Sequence, residues 1–263
     1  IITHAISGIA VGSVIAEIQQ QKVVNKAGIL GISAFGAILP DIDAISLWSK
    51  FDSTIGNLFQ LEHTGKEIYT SKFWYSHHGF MHSVTASLLI VLVFYTFFYF
   101  IRNNKKSSTF SEFISKNRLL GVAFCLGFVV HLIEDMPTPQ GDWGGVNLFW
   151  PSKAYFGGYG KIWWWNNYDI FLIVCTISIL NIFLIFSKLK RKIVVILSLF
   201  FLISGFSVGC YNIQHRNFNF NEVTKQKNYA YLDQKSLEIQ HQMLGDKIFY
   251  IMNRFDNSIK LNF

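Results

Sequence analysis

His77-His78-Gly79-Phe80-Met81-His82-Ser83 sets three imidazoles close together and runs directly into an apolar segment from Val84 to Ile101. As a helix that segment is about 27 Å long at 1.5 Å per residue, close to the ~30 Å hydrocarbon core of a bilayer. The histidines therefore stand at the end of a transmembrane helix, where they are placed to bind metal. The expectation for the whole chain is an all-α, polytopic integral membrane helical bundle with a metal site at one membrane face.

Composition agrees with that reading. Of 263 residues, 51% are hydrophobic and 17% aromatic while only 15% are charged, a membrane rather than a soluble balance. The net charge of +7 lies in short clusters between apolar runs, which positive-inside topology explains and nucleic-acid binding does not. No helix-turn-helix or basic recognition helix is present, so no nucleic-acid partner is expected. Cys125, Cys175 and Cys210 lie inside apolar runs without paired spacing, so neither a disulfide framework nor a thiolate metal site is expected. The sequence opens on Ile1 with no basic stretch before a cleavable apolar core, and we expect a few preceding residues and no signal peptide.

Further apolar segments run from Ala5 to Ile18, Gly28 to Leu39, Leu119 to Ile133, Ile170 to Phe186 and Ile193 to Cys210. Gly8 and Gly12, four apart, predict a first helix packed closely on a neighbour. The first two are short, so partial insertion or tilt is expected for them. The second must stop near Pro40, because the residue before proline disfavours α geometry. Leu47 to Ser76 is polar without a clear period and is read as a loop or interfacial element, and Lys116 and Arg118 as part of a hydrophilic loop. Gln140 to Asn167 is rich in glycine and aromatic rings, among them Trp143, Trp150, Trp163, Trp164 and Trp165, which favour the headgroup level. Residues 1–210 are expected to form the membrane-embedded domain and 211–263 a C-terminal extramembrane segment. Lys22, Lys26, the loop from Arg102 to Arg118 with Lys105 and Lys106, and the turn from Lys188 to Lys192 are assigned to the cytoplasm. That places His4, Asp41, Asp43, His77, His78, His82, His131, Glu134, Asp135 and the C-terminal segment on the extracytoplasmic face of the cell (inner) membrane.

An acid or histidine near a helix end is often only a cap or a snorkelling group. His131 and Asp135, one turn apart on an apolar helix, share a face and are costly there without a task. Glu134 can share that site or act as an acid or base. Asp41 and Asp43 follow a proline stop and can offer oxygen ligands or simply make a turn. His78 and His82 have i,i+4 spacing, with His77 just ahead. His63, His215 and His241 have no partner by spacing and are read as ordinary residues. Imidazole with carboxylate suits Zn²⁺, Mn²⁺ or Fe²⁺ better than Mg²⁺ or Ca²⁺, and the ligands suffice for one or two ions. Such a centre activates water and stabilises charge on a phosphoryl or carbonyl oxygen.

Four motifs in order carry a resemblance: Thr3-His4 opening a Gly/Ala-rich helix, Leu39-Pro40-Asp41-Ile42-Asp43, His77-x-Gly79-x-x-His82-Ser83, and His131-x-x-x-Asp135 followed by Pro137-Thr138-Pro139-x-Gly141. Over roughly the first 150 residues the chain resembles the membrane-bound, metal-dependent hydrolases, described in part as LexA-binding inner-membrane-associated proteins. The resemblance implies His4, Asp41, Asp43, His77, His82, His131 and Asp135 as metal-site positions. His78 departs from it, standing where that family usually carries Arg, as a phosphate contact or an extra ligand. A weaker likeness, to the helical zinc-dependent phospholipases C, is analogy alone. The expected function is an integral membrane metal-dependent hydrolase of a lipid-borne or amphiphilic ester, most plausibly a phosphoester, with Asp43 or Glu134 as base, Zn the favoured metal, and membrane lipids held by the Trp-rich stretch. The alternative is a non-catalytic membrane protein with a structural, transport or sensing metal site.

Overall fold

A computed structural model describes residues 1–18, 23–102, 109–224 and 228–258. Lys22, Lys105 and Lys106, used above to orient the chain, lie outside the described residues. The chain is all-helical. Among the described residues there is no strand, only isolated bridges between Pro139 and Tyr159 and between Val146 and Phe156.

Helix α1 (Ile2–Ile18) turns back into α2 (Val23–Ile38). Pro40 has no N–H to continue the α ladder, and the chain tightens into a 3-10 helix, Leu39–Leu47, instead of stopping. The continuous stretch Asn25–Leu47 is therefore long enough to cross a bilayer, which the sequence expectation of a short, tilted helix understated. The polar segment that follows is not a plain loop. It contains a π-helical turn Asp52–Gly56, α3 (Asn57–Phe59) and α4 (Gly65–Thr70), the last started by a capping box between Thr64 and Glu67.

A 3-10 turn, Phe80–His82, leads into α5 (Val84–Arg102), the segment read most directly from the sequence. Helix α6 (Phe110–Asp135) begins well before Leu119, because Thr109 and Glu112 form a second capping box. Lys116 and Arg118 are thus helical rather than in a loop. Helices α7 (Tyr168–Ile185) and α8 (Arg191–Gln214) follow, then α9 (Phe220–Thr224) and α10 (Tyr229–Ser258), which is broken at Gly245. Among the described residues five segments are long and apolar enough to span a membrane: Asn25–Leu47, Val84–Ile101, Phe110–Asp135, Tyr168–Ile185 and Arg191–Gln214. Leu92, Val93, Phe100, Ile196, Phe200 and Ile203 remain exposed on α5 and α8, an outward apolar surface suited to lipid.

Helices α1, α2 and α6 form the tight centre. Gly8 and Gly12 of α1 bring the helix onto α2, where a Cβ at Gly8 would stand 2.7 Å from the Ser33 carbonyl oxygen. Gly127 of α6 meets the same carbonyl from the other side. Small residues of this kind let backbones approach where lipid offers helices no hydrophobic drive to associate. Phe124, Phe128 and Leu132 fill the space beside them with Ala86 of α5.

Helices α7 and α8 are tied to the C-terminal helix by a buried polar cluster. Asp169 accepts from Arg216 at 2.7 Å and from Gln240 at 2.9 Å, while the Asp169 backbone N–H donates to Gln240 Oε1 at 2.9 Å. At the other end of the bundle Lys26 pairs with buried Glu17 at 2.7 Å, and Arg191 donates to the Glu17 carbonyl. Gly127→Val tests the tight centre. The added methyls press on the Ser33 backbone, and we expect a loss of about 1–3 kcal/mol, read as a lower unfolding midpoint in detergent, with weaker metal retention because α6 carries His131 and Asp135.

Candidate metal centre

Four elements deliver the polar cluster to one end of the bundle. His4 lies in the first turn of α1, Asp41 and Asp43 in the 3-10 extension of α2, His77, His78 and His82 ahead of α5, and His131 and Asp135 in the last turns of α6. Close packing of α1, α2 and α6 sets the distances among the first, second and fourth. The 78 position needs positive φ (61°), and the tight turn it makes folds His77, His78 and His82 onto one another.

The geometry centres on four atoms. His131 Nε2 lies 3.0 Å from Asp135 Oδ2, 3.6 Å from Asp41 Oδ1 and 3.4 Å from His82 Nε2. His82 Nε2 is 3.8 Å from Asp41 Oδ1 and 3.6 Å from Asp135 Oδ2. Four donors around one tetrahedral ion with bonds of about 2.0–2.2 Å stand about 3.3–3.6 Å apart. Three of the five distances fall in that window, and the other two, 3.0 and 3.8 Å, lie just outside it. The described residues thus hold His/Asp groups that could bind a metal ion: Asp41, His82 and His131; His4, His131 and Asp135; and His77, His78 and His82.

Hydrogen bonding behind the centre sorts the ring nitrogens. His131 Nδ1 is 2.8 Å from the Ala37 carbonyl and His78 Nδ1 is 2.9 Å from the Gly145 carbonyl. A carbonyl only accepts, so both rings carry hydrogen on Nδ1 and turn an Nε2 lone pair inward. His131 Nε2 then faces Asp135 Oδ2 at 3.0 Å, and that buried carboxylate oxygen has no other hydrogen-bond partner among the described residues. A proton or a metal ion between the two would satisfy it.

Asp43 and Glu134 stand one step back. Asp43 Oδ1 is 2.8 Å from His77 Nδ1 and its Oδ2 is 3.5 Å from His82 Nδ1. Glu134 Oε2 is 2.6 Å from His4 Nδ1, and Glu134 Oε1 accepts from Ser7. His4 Nε2 points toward Asp135 Oδ1 at 3.7 Å. Carboxylates that hold the outer nitrogen of an imidazole orient it and raise its basicity.

Outside the spanning segments the titrating groups divide. Burial disfavours a charge on His82, but hydrogen bonds to Asp41 and Asp43 outweigh it and push the imidazole up to about 10. Burial, reinforced by His77 and His82, holds His78 well below the ordinary histidine value. His78 is therefore neutral, with a lone pair at Nε2 3.9 Å from Asp135 Oδ2, which suits a ligand and not the cationic phosphate contact that Arg would make. Tyr69, buried beside the same carboxylates, is raised and stays a neutral phenol.

Several contributors were missed from the sequence. Tyr69 stacks on His77 with ring centroids 4.4 Å apart, and Trp143 packs against both His77 and His78 while donating to the Tyr69 carbonyl at 2.7 Å. Only the Thr64-x-x-Glu67 capping box marked the helix that carries Tyr69. Ser7 was readable, being one turn from His4 on the same face. His63, His215 and His241 stay outside the cluster, against Phe73, the Tyr211 carbonyl and Asp246 respectively. Of the tryptophans, Trp143, Trp164 and Trp165 line the cavity over the cluster, whereas Trp163 is buried against Phe220 and Leu232. That cavity measures about 1380 Å³ and includes His4, Asp41, His77, His78, Glu134 and Asp135 in its wall.

Proton and cation compete for His82. Zn²⁺ affinity should therefore fall as pH is lowered, with protons released on binding, measured by calorimetry in buffers of different ionisation enthalpy. Asp43→Asn, which loosens the support of His77 and His82, should weaken Zn²⁺ about 10–100-fold. Affinity independent of pH would contradict the proton competition, and unchanged affinity in Asp43→Asn would contradict the orienting role.

Comparison with curated proteins and with solved structures finds no match. The family model described as YdjM inner membrane protein matches residues 1–216, which takes in every element that supplies the His/Asp cluster and all five apolar segments. The chain therefore belongs to the YdjM inner membrane protein family.

Proposed function

We propose that this protein is a membrane-embedded, metal-dependent phosphoester hydrolase whose ion is held by Asp41, His82, His131 and Asp135. The observation that carries the reading is the convergence of four potential ligand atoms, spaced 3.0–3.8 Å, beside a large cavity that Asp41 and Asp135 line. Mixed imidazole and carboxylate donors favour Zn²⁺, with Mn²⁺ or Fe²⁺ next. When bound, such a cation lowers the pKa of water and polarises a phosphoryl oxygen.

The chain's own groups supply the rest. His4 has the arrangement of a general base, with Nδ1 anchored to Glu134 at 2.6 Å and Nε2 turned to the centre. It takes the proton of the attacking water as the new P–O bond forms and the ester P–O bond breaks. The proton then passes to the departing alkoxide, so an alcohol and a phosphate leave. Glu134 stabilises the imidazolium that forms, acting through His4 rather than on water directly. Asp43 positions His77 and His82 and takes no proton. His78 is the residue available to an extra ion beside Asp135. A transport role is disfavoured because the donors sit at helix ends and not at the bilayer midplane.

The basic residues Lys188, Lys190, Arg191 and Lys192 join α7 to α8 at the end away from the cluster, which supports an extracytoplasmic site. On that topology the segment beyond α8 is extramembrane and covers the same end.

His4→Ala and Glu134→Gln should keep the metal and lower phosphoesterase turnover about 10²–10⁴-fold, the range of a lost general base. Metal loss in His4→Ala would reassign His4 to coordination. Wild-type protein that holds stoichiometric metal and cleaves no ester in a broad panel of phospholipids and small phosphoesters would exclude hydrolysis. For topology, Gln140→Cys in a background with Cys125, Cys175 and Cys210 changed to Ser should react with an impermeant maleimide in intact cells. Reaction only after the inner leaflet is breached would reverse the orientation.

A further inference from the structure

The cavity does not end at the histidines. It continues down between α1, α7 and α8, walled by Ile170, Ile173 and Ile177 on one side and Leu202, Phe206 and Gly209 on the other. Its volume exceeds the roughly 300–1,000 Å³ of sites for small molecules. Measured along the helices, the lining descends about 14 Å below the start of α7 and about 18 Å below the end of α8 at 1.5 Å per residue. One leaflet of hydrocarbon is about 15 Å deep, half the bilayer core. The alley is therefore one leaflet deep and stops near the midplane.

Its shape follows from two glycines of α8. A Cβ at Gly205 would collide with Ile177 Cδ1, so α7 and α8 touch there and pinch the alley near its lower end. One turn nearer the cluster, a Cβ at Gly209 would meet only Ile170 Cδ1, at an ordinary contact distance of 3.8 Å, so the helices stand farther apart there than at Gly205. The wedge widens toward the His/Asp cluster, where Lys161, Trp164 and Trp165 form the rim. An apolar hollow of this kind takes up hydrocarbon and not water.

We propose that the alley between α1, α7 and α8 holds the hydrocarbon chain of the substrate, a long-chain lipid phosphate ester drawn from the leaflet on the cluster's side. The phosphate then lies at the His/Asp cluster beside Lys161, with the tryptophans at the level of the headgroups. This rests on the hydrolase reading for the fate of the phosphate, but the seating of the chain can be measured without turnover.

The probe is a hexadecyl phosphate carrying a diazirine at mid-chain, photolysed with the Zn²⁺-loaded protein in detergent, and the cross-linked peptides are mapped by mass spectrometry. Labelling is expected on α7 and α8 between Ile170 and Ile177 and between Leu202 and Ile213, competed by unlabelled hexadecyl phosphate. Gly209→Trp should retain metal and lose labelling by about tenfold or more, the scale on which an apolar pocket rejects an ill-fitting group. Should that variant fold poorly, Cys210 in a Cys125→Ser/Cys175→Ser background can be converted after folding to a mixed disulfide with an alkyl methanethiosulfonate, which releases methanesulfinate and should give the same loss. Labelling elsewhere, or labelling indifferent to both plugs, overturns the alley even if the protein cleaves soluble phosphoesters. Alley labelling in a protein that cleaves no phosphoester leaves the binding site standing and removes the hydrolase reading instead.

Discussion

Imidazole nitrogens and carboxylate oxygens crowd together at the end of this bundle, and the rest of the architecture holds them there. Asp41, His82, His131 and Asp135 approach one another across 3.0–3.8 Å, and the Asp135 oxygen among them is buried. A buried carboxylate left without a cation costs several kcal/mol. Those groups stay together because α1, α2 and α6 pack closely: glycines put their backbones in contact, and Phe124, Phe128 and Leu132 fill the flank. The packing at the centre thus sets the spacing of the charged groups at the end.

The outer hydrogen bonds orient the rings. Backbone carbonyls hold His131 and His78 by Nδ1, and carboxylates hold His4 and His77 by their Nδ1 atoms. Rings held in this way present their inner nitrogens in a defined direction. Tyr69 and Trp143 pack aromatic surface against His77 and His78 at the wall of the cavity.

Much of this was legible in the sequence, and the reason is periodicity. The span from Val84 needed only length and hydropathy, and His131 with Asp135 needed only helical spacing. That separate motifs meet at one end followed from counting spans. What the sequence did not carry was the direction of each side chain. Asp43 and Glu134 were candidates for chemistry on residue type alone, yet their oxygens turn to imidazole nitrogens because a 3-10 turn and the last turn of α6 aim them there. The two capping boxes were readable and were passed over, which placed Lys116 and Arg118 in a loop and hid the helix bearing Tyr69. Asp169, Arg216 and Gln240 left no local signal, since their partnership is made wholly by tertiary folding.

That last trio changes what counts as one piece of this protein. The family match ends at 216, on the arginine itself, while the glutamine that completes the cluster lies in the helix beyond it. Gln240 both donates to the Asp169 carboxylate and accepts from the Asp169 amide, so removal of α10 would strip two hydrogen bonds from a group that stays buried. Similarity and hydrogen bonding therefore draw different boundaries. The C-terminal helix lies outside the recognised family segment, yet buried hydrogen bonds tie it to α7.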